Sequence, residues 1–432
     1  MRNYDRYEVL NREELKDIQN RRLKKTVASV YENVTPYRKK MEEAGVKPSD
    51  IGGIEDLHLL PFTEKNDLRD NYPYGMFNVD LEKVVRIHAT SGTTGKPTVV
   101  GFTKNDLDTW SIDIARVLTA AGASAKDFIH VSYGYGLFTG GMGLHVGAER
   151  IGAATIPASS GNTTRQLQIL RDFGSTILCC TPSYAMYLIE ALEEAGYTKE
   201  DIHLKTGIFG AEPWSENMRK DIESKLGIKA YDIYGIAEIM GPGVAYECVN
   251  QNGLHISEDH FIPEIIDPID GKVLEEGQEG ELVFTCIKKE ALPLIRYRTR
   301  DITSLTYEEC SCGRQFARMT RLKGRTDDML IIRGVNVFPS QIEEVLLSME
   351  GVLPQYMIII DRVHNLDRIK VQVEMSSNLA FDAVRLVEDK ERSIKTAIES
   401  SLGISVDIQL VSPKTLLRSE GKAVRVVDNR EM

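Results

Sequence analysis

Over 11–45 the chain is charged and helix-prone. Glu13, Glu14 and Leu15 lead into a basic run at 21–25, and Pro36 or Gly45 offers a stop. From about residue 84 the pattern becomes short apolar runs followed by glycine turns and helices. Such runs lie at 84–87 before a glycine loop, at 128–131 before Gly134, and at 176–180 before a helix at about 183–195. Two more lie at 208–209, ahead of a helix at 216–226, and at 230–233, ahead of another glycine turn. Apolar runs alternating with helices predict an α/β domain with largely parallel sheet. The stretch 253–305 turns to alternating, turn-rich sequence, as in Gly280-Glu-Leu-Val-Phe-Thr, and predicts antiparallel strands.

After Gly324 the style changes again. A short strand is expected at 329–332, and Ser340-Gln-Ile-Glu343 has the form of a capping box opening a helix through Leu347. Paired strands are expected at 356–360 and 369–374, then a helix at about 383–402 and a strand at 405–411. The reading is therefore a large N-terminal domain over 1–325, with a helical segment at about 1–60. A smaller α+β domain over 329–432 follows, with a joint at Arg325-Thr-Asp-Asp328. There is no internal repeat and no low-complexity tract.

Composition narrows the chemistry. At 432 residues, 42% hydrophobic and 27% charged, the chain can bury more than one core. Its net charge of −11 argues against nucleic-acid or anionic-membrane binding, which rest on basic surface. Residues 1–25 are dense in charge without an apolar core of a signal peptide, and no run approaches the ~20 apolar residues of a membrane span. The 6 cysteines are too sparse for a disulfide framework. A cytoplasmic protein is expected.

Thr90-Ser-Gly-Thr-Thr-Gly-Lys-Pro97 is the most informative segment. Glycines let backbone approach an anion closely, N–H groups and hydroxyls donate to its oxygens, and the lysine adds charge. A Walker A loop needs four residues between its first glycine and Gly-Lys-Ser/Thr; here two intervene and Pro97 follows the lysine. Phosphate binding outside the P-loop kinases and GTPases is the expectation.

This loop resembles the phosphate-loop signature of the adenylate-forming superfamily, which includes acyl- and aryl-CoA synthetases, peptide-synthetase adenylation domains and luciferase. Further matches follow in the family's order: Tyr234-Gly-Ile-Ala-Glu238, Tyr297-Arg-Thr-Arg-Asp301, Gly324-Arg-Thr-Asp-Asp328 and Ser419-Glu-Gly-Lys422. Within the superfamily, Phe209-Gly-Ala-Glu-Pro-Trp214 and Ile332-Arg-Gly-Val-Asn-Val-Phe-Pro339 are closest to the phenylacetate–CoA ligase branch.

The resemblance implies ATP, Mg²⁺, coenzyme A and a small carboxylic acid as partners, with a homodimer as the family-based guess. By it, Ser91, Gly92, Thr93, Thr94, Gly95 and Lys96 grip the β- and γ-phosphates, with Thr94 and Lys96 counted among the catalytic residues. Glu238 holds Mg²⁺, an assignment that suits a hard ion. Tyr234 packs on adenine beside Gly210, Ala211 and Glu212, with Asp232 and Gly235 also at the nucleotide. Asp301 receives the ribose hydroxyls and Arg325 assists. Lys422 contacts carboxylate and α-phosphate during adenylation. Rotation of a mobile C-terminal domain about Asp327 then exchanges Lys422 for a face where Arg333 and Gly334 help form a coenzyme A tunnel. Leu417 stands where the family usually has proline.

For the acid, Tyr133-Gly-Tyr-Gly-Leu-Phe-Thr139 combines aromatics with glycines. Tyr133, Tyr135 and Phe138, with Ala211, Ile236 and Pro242, are candidates to line a slot for a planar acid such as an arylacetate. Equally, aromatics near a strand end serve as plain core. Cys310-Ser-Cys312 is a short thiolate pair, and Cys248 and His255 lie upstream, so a Cys₃His structural zinc site is expected. Cys179 and Cys180 sit in an apolar run and are expected in the core. The alternatives are an adenylating enzyme that serves a carrier protein, or a nucleotide-binding protein without catalysis.

Overall fold

The computed structural model describes residues 3–90, 97–326, 328, 330–332, 335–349, 351–363, 366–375, 384–418 and 424–430. The phosphate loop residues Ser91, Gly92, Thr93, Thr94, Gly95 and Lys96 lie outside them, as do Asp327, Arg333, Gly334 and Lys422.

The N-terminal segment is two helices, Arg12–Asn33 and Thr35–Glu43, broken at Val34 just before Pro36. Asn11 caps the first through Glu14 N–H (2.9 Å), and Glu14 reaches back to Asn11 N–H (3.1 Å). Its buried stripe of Leu15, Leu23, Val27 and Val30 recurs at helical spacing, and the last three join the large core.

A nine-stranded sheet organises the large unit. Its neighbours run in the order 305–306, 318–319, 254–256, 241–247, 229–236, 206–210, 177–180, 128–131 and 154–156. The last five are parallel, as their alternation with helices predicts. Parallel pairing stops at the strand formed by residues 229–236. Its outer neighbour, residues 241–247, returns after only a short turn. Too few residues intervene for a crossover, so everything beyond it is antiparallel. Along the parallel strands alternate residues feed two cores. Cys179 and Ile208 join the one with Trp110 and Phe284, whereas Leu178, Cys180 and Phe209 join the one under the helices Pro182–Glu194 and Glu216–Leu226.

A second, antiparallel sheet carries 261–266, 280–286, 297–303 and 324–325, in line with the alternating pattern of that stretch. The strand before the phosphate loop, Arg86–Ala89, differs from its expected strand–turn–helix setting. It pairs antiparallel with Val99–Phe102, and the helix Lys104–Ala120 follows only after the second strand.

From Leu330 onward a third core stands apart, built from Ile332, Ile358, Val371 and Ile398 among others. Its sheet runs 407–411, 366–375, 352–363, 426–428, with the helices Pro339–Leu347 and Val384–Leu402. The capping-box expectation at Ser340 is corrected. Pro339 is already helical, Phe338 is the N-cap without a side-chain cap bond, and Ser340 Oγ donates instead to the Lys323 carbonyl. Proline's fixed φ suits the first helical position, which moves the start two residues upstream. No helix among the described residues is long and apolar enough to cross a membrane.

Candidate active site

The parallel strands end together on one edge of the large sheet, where an open α/β sheet places its ligand crevice. Ser132 and Tyr133 follow one strand, Thr181 another, Gly210 closes a third and Tyr234 and Gly235 lie near the end of a fourth. Glycine is required at two of these positions. A Cβ on Gly210 would meet the Ile233 carbonyl at 2.1 Å, and one on Gly235 would meet the Gly241 carbonyl at 1.9 Å. Ala211 follows with φ of 71°, which turns the chain away from the sheet and leaves the residue exposed.

Tyr234 is joined to the second sheet. Its hydroxyl donates to Asp301 Oδ2 at 2.7 Å, and Arg325 Nη1 donates to Asp301 Oδ1 at 2.8 Å. Asp301 and Arg325 are register partners on neighbouring antiparallel strands, so the ion pair follows from strand pairing. Burial, and beside it the Asp301 carboxylate, push the Tyr234 phenol far above its usual range and keep it a donor. Three residues from three separate motifs thus form one bonded unit.

Glu238 is buried, and among the described residues no side chain hydrogen-bonds its carboxylate. Its backbone carbonyl accepts from Lys289 Nζ at 3.2 Å. Glu212 accepts from the Ser183 N–H at 2.8 Å and from its hydroxyl, tying the 210–212 turn to the start of the helix Pro182–Glu194. Asp232 belongs to a different network. Its N–H donates to Glu247 Oε2 at 2.7 Å and its carboxyl faces Arg321 at 3.7 Å; burial first, then Glu247, push that carboxyl up to about 8.

The residues expected at the acid divide. Tyr133 is buried and its hydroxyl donates to the Cys180 carbonyl at 2.5 Å, lying 3.3 Å from the Gly210 carbonyl, which makes it a tie between strand ends. Tyr135 is half-buried, edge-on to His145 with ring centroids 5.9 Å apart, and Phe138 is exposed. The Pro242 carbonyl accepts from Trp110 Nε1 at 3.0 Å, and Ile236 is half-buried against the large core.

The Cys and His residues converge. Pairing of the strands Leu254–Ile256 and Arg318–Met319 sets His255 opposite Arg318, beside the 310–312 knuckle. Cys248, His255, Cys310 and Cys312 are all buried, and their ligand atoms lie within 4.8 Å of one another. Cys248 Sγ is 3.8 Å from Cys310 Sγ, and His255 Nε2 is 3.5 Å from Cys312 Sγ. A tetrahedron with Zn–S of ~2.3 Å and Zn–N of ~2.0 Å has edges of roughly 3.8 and 3.5 Å, so these separations match a single ion. His255 Nδ1 sits 3.3 Å from the Phe316 carbonyl, and donation there leaves Nε2 as the ligand.

Lys289 belongs to none of the motifs named above. It is a buried cation that lies 4.6 Å over the Phe102 ring and bonds the Glu238 backbone. Its only sequence signal is a Lys-Lys-Glu insertion between two apolar stretches. His88, buried against Phe102 and Trp110, carried no signal at all.

A crevice at parallel strand ends, closed by a tyrosine–aspartate–arginine unit and followed by a separate α+β unit, is the architecture of the AMP-binding enzymes. The chain belongs to that family: the AMP-binding enzyme model matches residues 9–287 and the AMP-binding enzyme C-terminal domain model matches 334–430. It is 51% identical over 434 residues to the phenylacetate-coenzyme A ligase of Escherichia coli (strain K12), covering 99% of this chain and 98% of that one. It is 48% identical over 438 residues to the phenylacetate-coenzyme A ligase of Thermus thermophilus, covering 98% of each. Among solved structures, 2-hydroxyisobutyryl-CoA ligase in the postadenylation state with 2-HIB-AMP superposes with a TM-score of 0.93 at 29% identity, covering 98% of this chain and 92% of that one. The same ligase with 2-HIB-AMP and CoA in the thioesterification state gives 0.73 at 30% identity, covering 99% and 92%.

Proposed function

We infer that this chain is an ATP-dependent, AMP-forming acid–coenzyme A ligase whose acid is phenylacetate or a close aryl relative. The observation that carries the reading is the Tyr234–Asp301–Arg325 unit at the strand-end crevice, in a chain about half identical to two phenylacetate-coenzyme A ligases along nearly its whole length.

In the first step a carboxylate oxygen attacks the α-phosphorus of ATP and the bond to pyrophosphate breaks. Two anions must be held close together, so positioning and charge neutralisation do the work. The 91–96 loop grips the polyphosphate tail. Tyr234 packs on adenine beside the 210–212 turn, and Asp301 receives the ribose hydroxyls while Tyr234 and Arg325 keep its two oxygens oriented. Glu238, a buried carboxylate, would hold Mg²⁺, which supplies neutralising charge at the phosphates. Lys422 draws the carboxylate onto the nucleotide. In the second step the thiol sulfur of coenzyme A attacks the acyl carbon, and AMP leaves with the bonding pair. The unit after 329 turns about Asp327 for this step, and Arg333 and Gly334 line the path of the thiol.

Tyr135, Phe138, Ile236 and Pro242 border the acid, with Tyr133 behind them holding the wall. Cys248, His255, Cys310 and Cys312 hold a structural zinc that clips 310–312 to the large sheet. The setting is cytoplasmic, where ATP and coenzyme A are supplied, and the assembly is a homodimer, which light scattering of the purified protein tests.

Pyrophosphate release, followed across a panel of aryl and alkyl acids with and without coenzyme A, tests the function. Phenylacetate is expected to turn over fastest, with thioester formed in step with pyrophosphate. No release with any aryl acid overturns the reading. Thioester formed only on a carrier protein's phosphopantetheine replaces the acceptor.

A further inference from the structure

One stripe of the helix Pro182–Glu194 faces the C-terminal unit. Ser183, Tyr187, Glu190 and Glu194 recur at intervals of 4, 3 and 4, which places them on a single helical face. Ser183 Oγ lies 3.5 Å from Arg425 Nη2, Glu190 meets Arg418 and Glu194 meets Lys414. Two carboxylates of the large unit therefore oppose two cations of the small one.

The contact at Arg418 is unusually complete. Its Nε and Nη2 donate to the two oxygens of Glu190 at 3.1 and 3.2 Å. Its Nη1 and Nη2 donate to the two oxygens of Glu374 at 2.8 Å each, and Nη1 also donates to the Leu416 carbonyl at 3.1 Å. Five hydrogen bonds match the five donors of a guanidinium. The partners have different roles. Glu374 is fully buried in the C-terminal unit and also accepts from the Lys414 and Leu416 N–H groups at 3.1 and 2.7 Å. It fixes Arg418 within that unit, whatever the large unit does. Glu190, on the large unit, closes the fork from the other side. A bidentate pair of this kind is specific in direction as well as strong.

We propose that Arg418 is a positioning residue. Clasped to Glu190, it latches the C-terminal unit in the arrangement that carries adenylation, and the clasp opens when the unit turns to make the thioester. The inference rests on the two-step reading above. Lys422 follows Arg418 by four residues, a span of at most roughly 14 Å, so anchoring Arg418 restricts where that lysine can reach. Over nearly the whole chain the superposition is close on the postadenylation ligase structure and far poorer on its thioesterification counterpart.

The test is Glu190→Gln, with each half-reaction measured by itself. Glu374 still holds Arg418 in this variant, so the thermal midpoint is expected to stay within a degree or so. Adenylation, read as acid-dependent pyrophosphate exchange, is expected to fall about five- to tenfold. Thioester formation from supplied acyl-adenylate and coenzyme A is expected to hold or rise. Arg418→Lys, which keeps charge but loses the fork, is expected to give the same split in smaller measure. Equal loss in both half-reactions, or an unchanged adenylation rate, overturns the latch. An unmodified enzyme that releases no pyrophosphate would instead overturn the ligase reading and the latch with it.

Discussion

Tyr234 and Asp301, 67 residues apart in the chain, share a buried hydrogen bond of 2.7 Å. It runs from the end of a parallel strand to the middle of an antiparallel one, so two sheets are fastened at the point where the nucleotide is proposed to lie. Removing the hydroxyl in Tyr234→Phe deletes one bond but leaves Arg325 on the other carboxylate oxygen. KM for ATP should rise about fivefold, as the loss of one net hydrogen bond of about 1 kcal/mol implies. Asp301→Asn weakens the ion pair and the proposed ribose acceptor together and should raise it more. Initial-rate measurements at saturating acid and coenzyme A check the order; a larger effect from the tyrosine change contradicts it.

Lys289 offers a second check. Its ammonium bonds the Glu238 carbonyl, and burial lowers its pKa against the opposing pull of Cys286, Asp106 and Glu238. Lys289→Met keeps the volume and removes a desolvated charge, so the thermal midpoint should hold or rise. Activity at subsaturating Mg·ATP should fall about tenfold, because the backbone that carries Glu238 loses its tether. A variant that loses stability and activity together would mark Lys289 as structural only.

The half-reactions should separate at the C-terminal lysine as well. Lys422→Ala is expected to lose adenylation but keep thioester formation from supplied acyl-adenylate, whereas Asp327→Pro is expected to do the reverse by stiffening the joint. Equal loss of both steps in Lys422→Ala, or equal speed of both in Asp327→Pro, counts against a domain turn.

The Cys₃His cluster predicts about one zinc per chain by elemental analysis. Cys312→Ser should reduce that well below one and lower the thermal midpoint, since a bound ion would tie 310–312 to His255 and Cys248. Protein purified without zinc and showing no shift on adding it would remove the metal from the account.

Glu343 makes stability depend on pH. Burial raises its pKa to about 7, the Arg425 guanidinium offsets this only in part, Glu212 across the unit boundary adds repulsion, and Tyr356 bonds it. In the unfolded chain a glutamate titrates near ~4.3. Between those values the folded state binds the extra proton, so stability falls as pH rises through this window and levels off above it. Glu343→Gln should therefore gain over the parent from pH 5 to 7, by a few degrees in thermal midpoint, and no further beyond. A constant difference across that range refutes the assignment.

Much of this was legible in the chain itself. Element types followed from local pattern, as in the helices at 182–194 and 216–226 and the strand at 128–131, because periodicity is a property of neighbouring residues. Motif order pointed to the family for the same reason. The Ser340 capping box misled because Pro339, one residue upstream, was the better helix start. Tertiary structure alone decided the rest. It made the outer half of the main sheet antiparallel, tied Tyr133 into the wall between strand ends, and set Asp232 among Glu247 and Arg321. It brought Lys289 under Glu238 and Arg418 onto Glu190, 228 positions away. Such contacts depend on how whole sheets and units settle against one another, and a burial cost or an ion pair between distant residues leaves no periodic trace in the order of the amino acids.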